Sequence, residues 1–141
     1  MKESFKPDWI IHYVQNHDCD ICGKHEENPI GFNGFANIHT HGLKLHGHSE
    51  ICIPLDIGMD IATNVLNTLG QRIVLNNEVF EEGYNETILA NGYKVRFIKF
   101  DGDDMLYLIL PDVNNNLPGD DKCEFPYSSQ LFYAEIIHSD K

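Results

Sequence analysis

Two pairs of histidines lie close together about one third of the way along the chain. His39 and His41 are separated by one residue, and His46 and His48 repeat that spacing. On a β-strand, alternate side chains point to the same face, so each pair would present two imidazoles together. Imidazole nitrogens bind zinc and related metals, and they also transfer protons near neutral pH. The stretch therefore predicts a polar patch that can bind a metal ion.

A cysteine pair upstream would supply the other donors of such a site. Cys19 and Cys22 have the two-residue spacing of a zinc knuckle. Two thiolates at that spacing can ligate one tetrahedral ion, because the turn between them frees backbone amides to bond the sulfurs. The sequence thus predicts a zinc-knuckle segment at residues 18–25, with Cys19, Cys22, His39 and His41 as the ligands. Unligated thiols in a loop, or a redox-active pair, are the alternatives. The substitute donors are His12, His17, His25, Cys52 and Cys123.

The histidine cluster has two further interpretations. A metal-dependent hydrolase would use His39, His41, His46 and His48 around an open coordination position, where metal-bound water becomes a nucleophile. Enzymes of that kind collect further ligands from later strands, whereas this chain has only His138 beyond residue 48. Enzyme activity is therefore less favoured than binding. The other interpretation is a metal-free domain whose histidines are hydrogen-bonded structural residues.

Length and charge restrict the class of protein. A chain of 141 residues with 42% hydrophobic residues fits a single domain, 1–141, around one core. Its 22 acidic and 10 basic residues give a formal charge of -12. That charge disfavours nucleic acid and anionic membranes. A cation or a basic protein, such as a toxin neutralised by an acidic immunity-type protein, is the better electrostatic match, and the alternative is that the acidity only keeps a small protein soluble. The amino terminus lacks a signal-peptide core and no apolar run could span a bilayer, so a cytoplasmic location is expected.

One helix and several strands are predicted to position these residues. Apolar residues recur at steps of three and four over residues 57–69, which predicts a helix capped by Asp56 and ended by Gly70. Asp101 and Gly102 predict the turn of a hairpin. Strands are predicted at residues 9–14, 37–41, 48–55, 72–75, 93–100 and 105–110, and residues 130–137 are predicted to form a last strand or a short helix, with the strand favoured. The strand over residues 48–55 is predicted to be half-buried, with His48, Glu50 and Cys52 on its polar face. These elements indicate an α+β fold in which the helix packs on a largely antiparallel sheet.

The loop that follows residue 110 has part of a calcium-binding pattern. Asp112, Asn114 and Asn116 have the alternate spacing of calcium ligands. Leu117 stands where such a loop needs glycine, and Cys123 stands where it needs glutamate. A polar loop without a calcium site is therefore predicted.

The chain also carries a set of short motifs. The first is Asn37-Ile38-His39-Thr40-His41-Gly42-Leu43. The others are His48, Ile53-Pro54-Leu55, Leu66-Asn67-Thr68-Leu69-Gly70, Ile109-Leu110-Pro111-Asp112 and Pro126-Tyr127-Ser128. Together they resemble an uncharacterised bacterial family of small proteins, a domain of unknown function with an N-x-H-T-H-G-L signature. The resemblance covers residues 36–131. It implies a bacterial, cytoplasmic, single-domain protein in which His39, His41 and Gly42 belong to the signature.

Overall fold

The computed structural model of the protein describes residues 9–14, 18–19, 24–25 and 34–139. The strands are β1 (Ile10–Val14), β2 (Asp18–Cys19), β3 (Lys24–His25), β4 (Phe35–His41), β5 (Ile51–Leu55), β6 (Gly83–Asn85), β7 (Val95–Ile98) and β8 (Leu106–Ile109). The α-helices are α1 (Met59–Asn76) and α2 (Gln130–Ser139). Short 3-10 helices cover Leu43–His46, Ala90–Gly92 and Tyr127–Ser129. The predicted α+β class is confirmed.

The main sheet contains six of the described strands in the order β1-β4-β5-β8-β7-β6. Its neighbouring strands are antiparallel except β5 and β8, which run parallel. A parallel pair needs a crossover connection, and here α1 lies within it. β2 and β3 form a separate two-stranded ribbon. The prediction of a largely antiparallel sheet is confirmed. In the part of the chain that is described, no helix has both the length and the apolar character needed to cross a membrane.

A bulge in β4 sets the register on which the histidines depend. Phe35 pairs with Leu55 and Ile38 pairs with Ile53, so two residues of β4 face the single residue Pro54. Proline has no backbone N–H to donate to the ladder, and strands accommodate it at irregularities of this kind. The side chains of β4 that follow the bulge therefore alternate regularly up to the end of the strand.

A row of paired residues crosses the sheet through the histidine strand. His39 of β4 lies opposite Cys52 of β5, and Cys52 lies opposite Tyr107 of β8. Directly paired residues of neighbouring strands share a face of the sheet. His39, Cys52 and Tyr107 therefore lie in one row on one face. On the other side of β4, the backbone of His12 is in register with His39.

The helix predicted at residues 57–69 exists, but it continues to Asn76. Its buried residues are Ala62, Leu66, Leu69, Gly70 and Ile73, which recur at helical spacing. The predicted helix end at Gly70 is therefore wrong. The glycine is explained instead by Trp9, which packs directly on it. A Cβ at Gly70 would lie 2.3 Å from Cζ2 of Trp9, and the Trp9 indole N–H donates to Asn67 Oδ1 at 3.0 Å. Gly70 therefore allows the Trp9 ring to lie close against the backbone of α1.

Two predictions about the ends of α1 are also wrong. The N-cap is Gly58 and not Asp56, although the Gly58 N–H donates to Asp56 Oδ1 at 3.1 Å. The strand predicted at residues 72–75 is the end of α1, whose C-cap is Asn77 with a φ of 57°. Arg72 of α1 forms an ion pair with Glu78, which lies beyond the end of the helix, and Arg72 Nη2 is 2.7 Å from Glu78 Oε1. The ion pair holds the following loop against the helix.

For residues 130–137 the favoured prediction of a strand is wrong and the alternative of a short helix is confirmed, since these residues belong to α2. Its buried residues are Gln130, Tyr133, Ala134 and Ile137, the stripe of a helix that packs on one side. The Gln130 side chain accepts from the Leu110 N–H at 2.8 Å and donates to the Leu110 carbonyl at 2.6 Å. The side-chain amide of Gln130 thus makes both backbone hydrogen bonds of Leu110, as a neighbouring strand would. These bonds fix the start of α2 beside the end of β8.

The loop around Asp112 is polar, as predicted. The Asp112 carboxylate accepts from the N–H groups of Asn114, Asn116 and Glu124 at 2.9, 2.9 and 3.0 Å. Burial alone would raise the pKa of Asp112, but the N–H donors of Asn116, Glu124 and Asn114 outweigh it and lower that pKa. Asp112 therefore organises the loop as a hydrogen-bond acceptor.

Candidate functional site

His39 and His41 form a contacting pair at the end of β4. They occupy alternate positions of the strand, so both rings project from the same face. Their Nε2 atoms lie 3.2 Å apart, and the rings meet edge to face with centroids 4.9 Å apart. His39 is 5% exposed, and His41 is half-buried. The predicted sharing of one face by these two imidazoles is confirmed.

Asn37 is the polar residue that orients His39. Asn37 Oδ1 lies 2.7 Å from His39 Nδ1 and 3.4 Å from the sulfur of Cys52. An amide oxygen only accepts hydrogen bonds, so His39 donates from Nδ1, and in its neutral form it has its lone pair on Nε2. That lone pair is directed at His41. The strand alternation of Asn37, His39 and His41 in the sequence was the signal for this arrangement.

Glu50 holds the turn that follows the histidine pair. Its carboxylate accepts from the N–H groups of Gly42, Leu43 and Lys44 at 3.0, 3.1 and 3.2 Å. Gly42 is the N-cap of the 3-10 helix, and Leu43 and Lys44 are in its first turn, where N–H groups have no partner within the helix. Gly42 has a φ of 124°, a conformation that favours glycine. Gly42 and Leu43 of the histidine motif therefore form the turn that follows β4.

β5 begins later than the sequence predicts. His48 and Glu50 precede the strand, which starts at Ile51, so they do not share its polar face with Cys52. The predicted half-buried strand is wrong in this respect, because all five residues of β5 are buried. Pairing on both sides, with β4 and β8, explains this burial.

His46 and His48 do not join the first pair. His48 is 7% exposed, and its Nδ1 donates to the Ser49 carbonyl at 2.8 Å while its Nε2 accepts from the Phe80 N–H at 3.0 Å. Both ring nitrogens are therefore engaged in holding the hairpin to the loop beyond α1. His46 is exposed on the 3-10 helix. Among the described residues, no group of three or more His, Cys, Asp or Glu side chains could hold a metal ion. The four-histidine cluster of the hydrolase interpretation is not assembled.

The predicted cysteine ligands fall at the limit of the described chain. Cys22 lies outside the described residues, and for Cys19 the structure gives its backbone position in β2, opposite Lys24. The described chain brings His39 and His41 together. The participation of Cys19 and Cys22 stays a prediction.

A second polar cluster, which the sequence patterns do not predict, lies near the start of β8. Asp103 Oδ2 accepts from the Tyr107 hydroxyl at 3.2 Å and lies 3.0 Å from His138 Nδ1. The His138 ring stacks on Phe100 with centroids 4.5 Å apart. Burial is the main cause that raises the pKa of Tyr107, and Cys52 and Asp103 raise it further. The phenol therefore stays protonated and donates to Asp103. Because Asp103 also contacts His138 of α2, it links α2 to the turn before β8.

No family model, curated protein or solved structure matches this chain. What the site can do is therefore inferred from the chemistry of its own residues.

Proposed function

We propose that this protein is a small binding domain in which His39 and His41 are two ligands of a structural zinc ion, with Cys19 and Cys22 as the other two. Such a site would join the segment after β1 to the β4–β5 hairpin. Because ligands from distant parts of the chain meet only in the folded state, metal binding and folding of this region would be linked.

The observation that carries this proposal is the distance of 3.2 Å between the two Nε2 atoms. Two nitrogens at that separation, each bonded to zinc at about 2.0–2.1 Å, subtend an angle of roughly 100–106° at the ion. This is close to the tetrahedral angle of a structural zinc site. A right angle, as in octahedral coordination, would need the nitrogens at about 2.9 Å for the same bond lengths. The pair therefore fits a tetrahedral ion better than an octahedral one.

The partner of His39 gives independent support. Histidines that ligate metals commonly donate their other ring N–H to an oxygen acceptor, which fixes the tautomer and the ring orientation. His39 has such an acceptor in Asn37 Oδ1, at 2.7 Å. With Asn37 at its Nδ1, His39 turns its Nε2 towards Nε2 of His41, and both nitrogens are placed as two ligands of one ion would be.

Charge supports a role in recognition. The formal charge of -12 would attract a basic protein and repel nucleic acid. We propose a basic partner, such as a toxin that this domain neutralises, and a cytoplasmic location. A zinc ion would then maintain the shape of the domain without taking part in a reaction.

Metal content tests the proposal. Protein purified without added metal is repleted with zinc, dialysed and measured by elemental analysis. Wild-type protein should retain zinc in equimolar amount, and His39→Ala and His41→Ala should each lose most of it. His46→Ala is the matched control, because His46 is exposed on the same hairpin. Substoichiometric zinc in the repleted wild type would contradict the proposal, as would equal loss in the control.

Cobalt substitution separates the two halves of the ligand set. Thiolate ligands give Co²⁺ strong near-ultraviolet charge-transfer absorption, whereas imidazole ligands do not. The proposed site predicts this absorption in the wild type and its loss in Cys19→Ser and Cys22→Ser. Metal binding without the absorption would retain His39 and His41 as ligands and eliminate the cysteines.

A further inference from the structure

We propose that Asn37 is a positioning residue that keeps His39 in the Nδ1–H tautomer, the form with the Nε2 lone pair that a metal ion needs. His41, by contrast, changes tautomer when the metal binds. This inference rests on the proposed zinc site and concerns how its histidines work. The contacts from which it is argued are those of described residues of β4 and β5.

Two donors hold the Asn37 amide in place. His39 Nδ1 lies 2.7 Å from Asn37 Oδ1, and the buried thiol of Cys52 donates to the same oxygen at 3.4 Å. A carbonyl oxygen has two lone pairs, so it can accept both bonds. Cys52 is opposite His39 in the register of the sheet, and its side chain is fully buried. The position of the amide oxygen is therefore set from two strands.

The proton positions of the histidine pair follow from this arrangement. With its proton on Nδ1, neutral His39 has only a lone pair on Nε2. The contact of 3.2 Å between the Nε2 atoms then requires that His41 donates from its Nε2 when no metal is bound. A metal ion bound to both Nε2 atoms needs both lone pairs. His41 must then lose the proton from Nε2 and gain one on Nδ1 through solvent, with no net change in protons.

The two histidines should therefore respond differently to zinc. Long-range ¹H–¹⁵N correlation spectra of ¹⁵N-labelled protein report which ring nitrogen carries the proton. His39 should show the Nδ1–H tautomer both without and with zinc, and His41 should change from Nε2–H to Nδ1–H. An Nε2–H tautomer at His39 without metal, or an unchanged His41, would overturn the inference.

Variants of Asn37 test its role through zinc affinity. Asn37→Asp keeps the size and the acceptor oxygen, and a carboxylate can only accept. It should bind zinc at least as tightly as the wild type. Asn37→Leu removes the acceptor and should weaken binding by roughly 10–100-fold, the range for loss of such a partner. Asn64→Leu, at an exposed position of α1, is the control for a change of asparagine to leucine away from the site.

The outcomes separate this inference from the zinc proposal. If the wild type binds no zinc, the proposed function fails, while the His39 tautomer still reports whether Asn37 fixes its proton. If Asn37→Leu binds zinc as tightly as the wild type, the positioning role fails and the zinc site stands. Should Asn37→Leu not fold, Asn37→Asp and the wild-type tautomers still decide the inference. An affinity of Asn37→Asp well below the wild type would mean that the Asn37 amide donates to His39, and it would overturn the assignment.

Discussion

Thr40 and Glu50 are joined by a hydrogen bond of 2.7 Å within the core. The Thr40 hydroxyl donates to the carboxylate and accepts from the Ile51 N–H at 3.0 Å, so it links the end of β4 to the start of β5. The same carboxylate accepts from the turn that follows His41. Thr40 and Glu50 thus hold the frame around the histidine pair, although neither is proposed to bind metal.

Replacement of Glu50 by alanine should destabilise the protein by roughly 2–4 kcal/mol, since several buried donors lose their acceptor together. Urea denaturation measures the change in the free energy of unfolding. Glu81→Ala, at an exposed glutamate, is the control and should change it by less than about 0.5 kcal/mol. A Glu50→Ala protein as stable as the wild type would mean that water replaces the carboxylate.

The change His48→Leu should cost about 1–3 kcal/mol of stability, because the Phe80 N–H is left buried without its acceptor. Zinc content should stay at the wild-type level, since both nitrogens of His48 serve the fold. His46→Leu should alter neither property. Loss of zinc in a folded His48→Leu protein would contradict this and would indicate that His48 is a metal ligand.

Gly70→Ala should destabilise α1 although alanine is the better helix former. Within a helix this change normally stabilises by roughly 0.5–1 kcal/mol, but here the added Cβ meets the Trp9 ring. We expect a net loss of about 1–3 kcal/mol by thermal or urea unfolding. In the background of Trp9→Leu the penalty should shrink, so the two changes should not be additive. Additive effects would show that the indole does not limit this position.

Acid should weaken the loop of Asp112. The pKa of Asp112 is lowered in the folded protein, so its stabilising effect is present above the ordinary aspartate pKa of about 3.9 and is lost as pH falls through the lower folded value. Asp112→Asn should therefore unfold more easily than the wild type at neutral pH, and this difference should shrink below about pH 4. Asp121→Asn, at an exposed aspartate of the same loop, should behave as the wild type. A stability difference that does not depend on pH would contradict this role of the carboxylate.

Local patterns predicted the parts of the fold that local physics determines. The alternation of Asn37, His39 and His41 predicts a shared face, and the structure confirms it. Of the apolar residues that predict α1, Leu66 and Leu69 are buried, whereas Ile61 is 59% exposed. The turn at Asp101 and Gly102 lies between β7 and β8, as expected. Each of these signals comes from residues that are close in sequence.

Other features depend on partners that are remote in the chain. Gly70 reads locally as a helix end, because Trp9, the residue that packs on it, is far away in sequence. Spacing groups His48 with His46, yet His48 accepts a hydrogen bond from Phe80, 32 residues further on. Gln130 begins a helix whose aromatic and β-branched residues favour a strand locally, but packing of Tyr133 and Ala134 on one side overrides that preference. Spacing alone does not contain these distant contacts.

The parallel pairing of β5 with β8 divides the described sheet into two antiparallel halves. Cys52 and Tyr107 are directly paired across this seam. Separation of the two halves at this seam would uncover the thiol of Cys52, which is fully buried in the folded protein. The labelling rate of Cys52 by a small alkylating reagent therefore measures how often the two halves part, and stabilisation of the sheet by zinc should slow it.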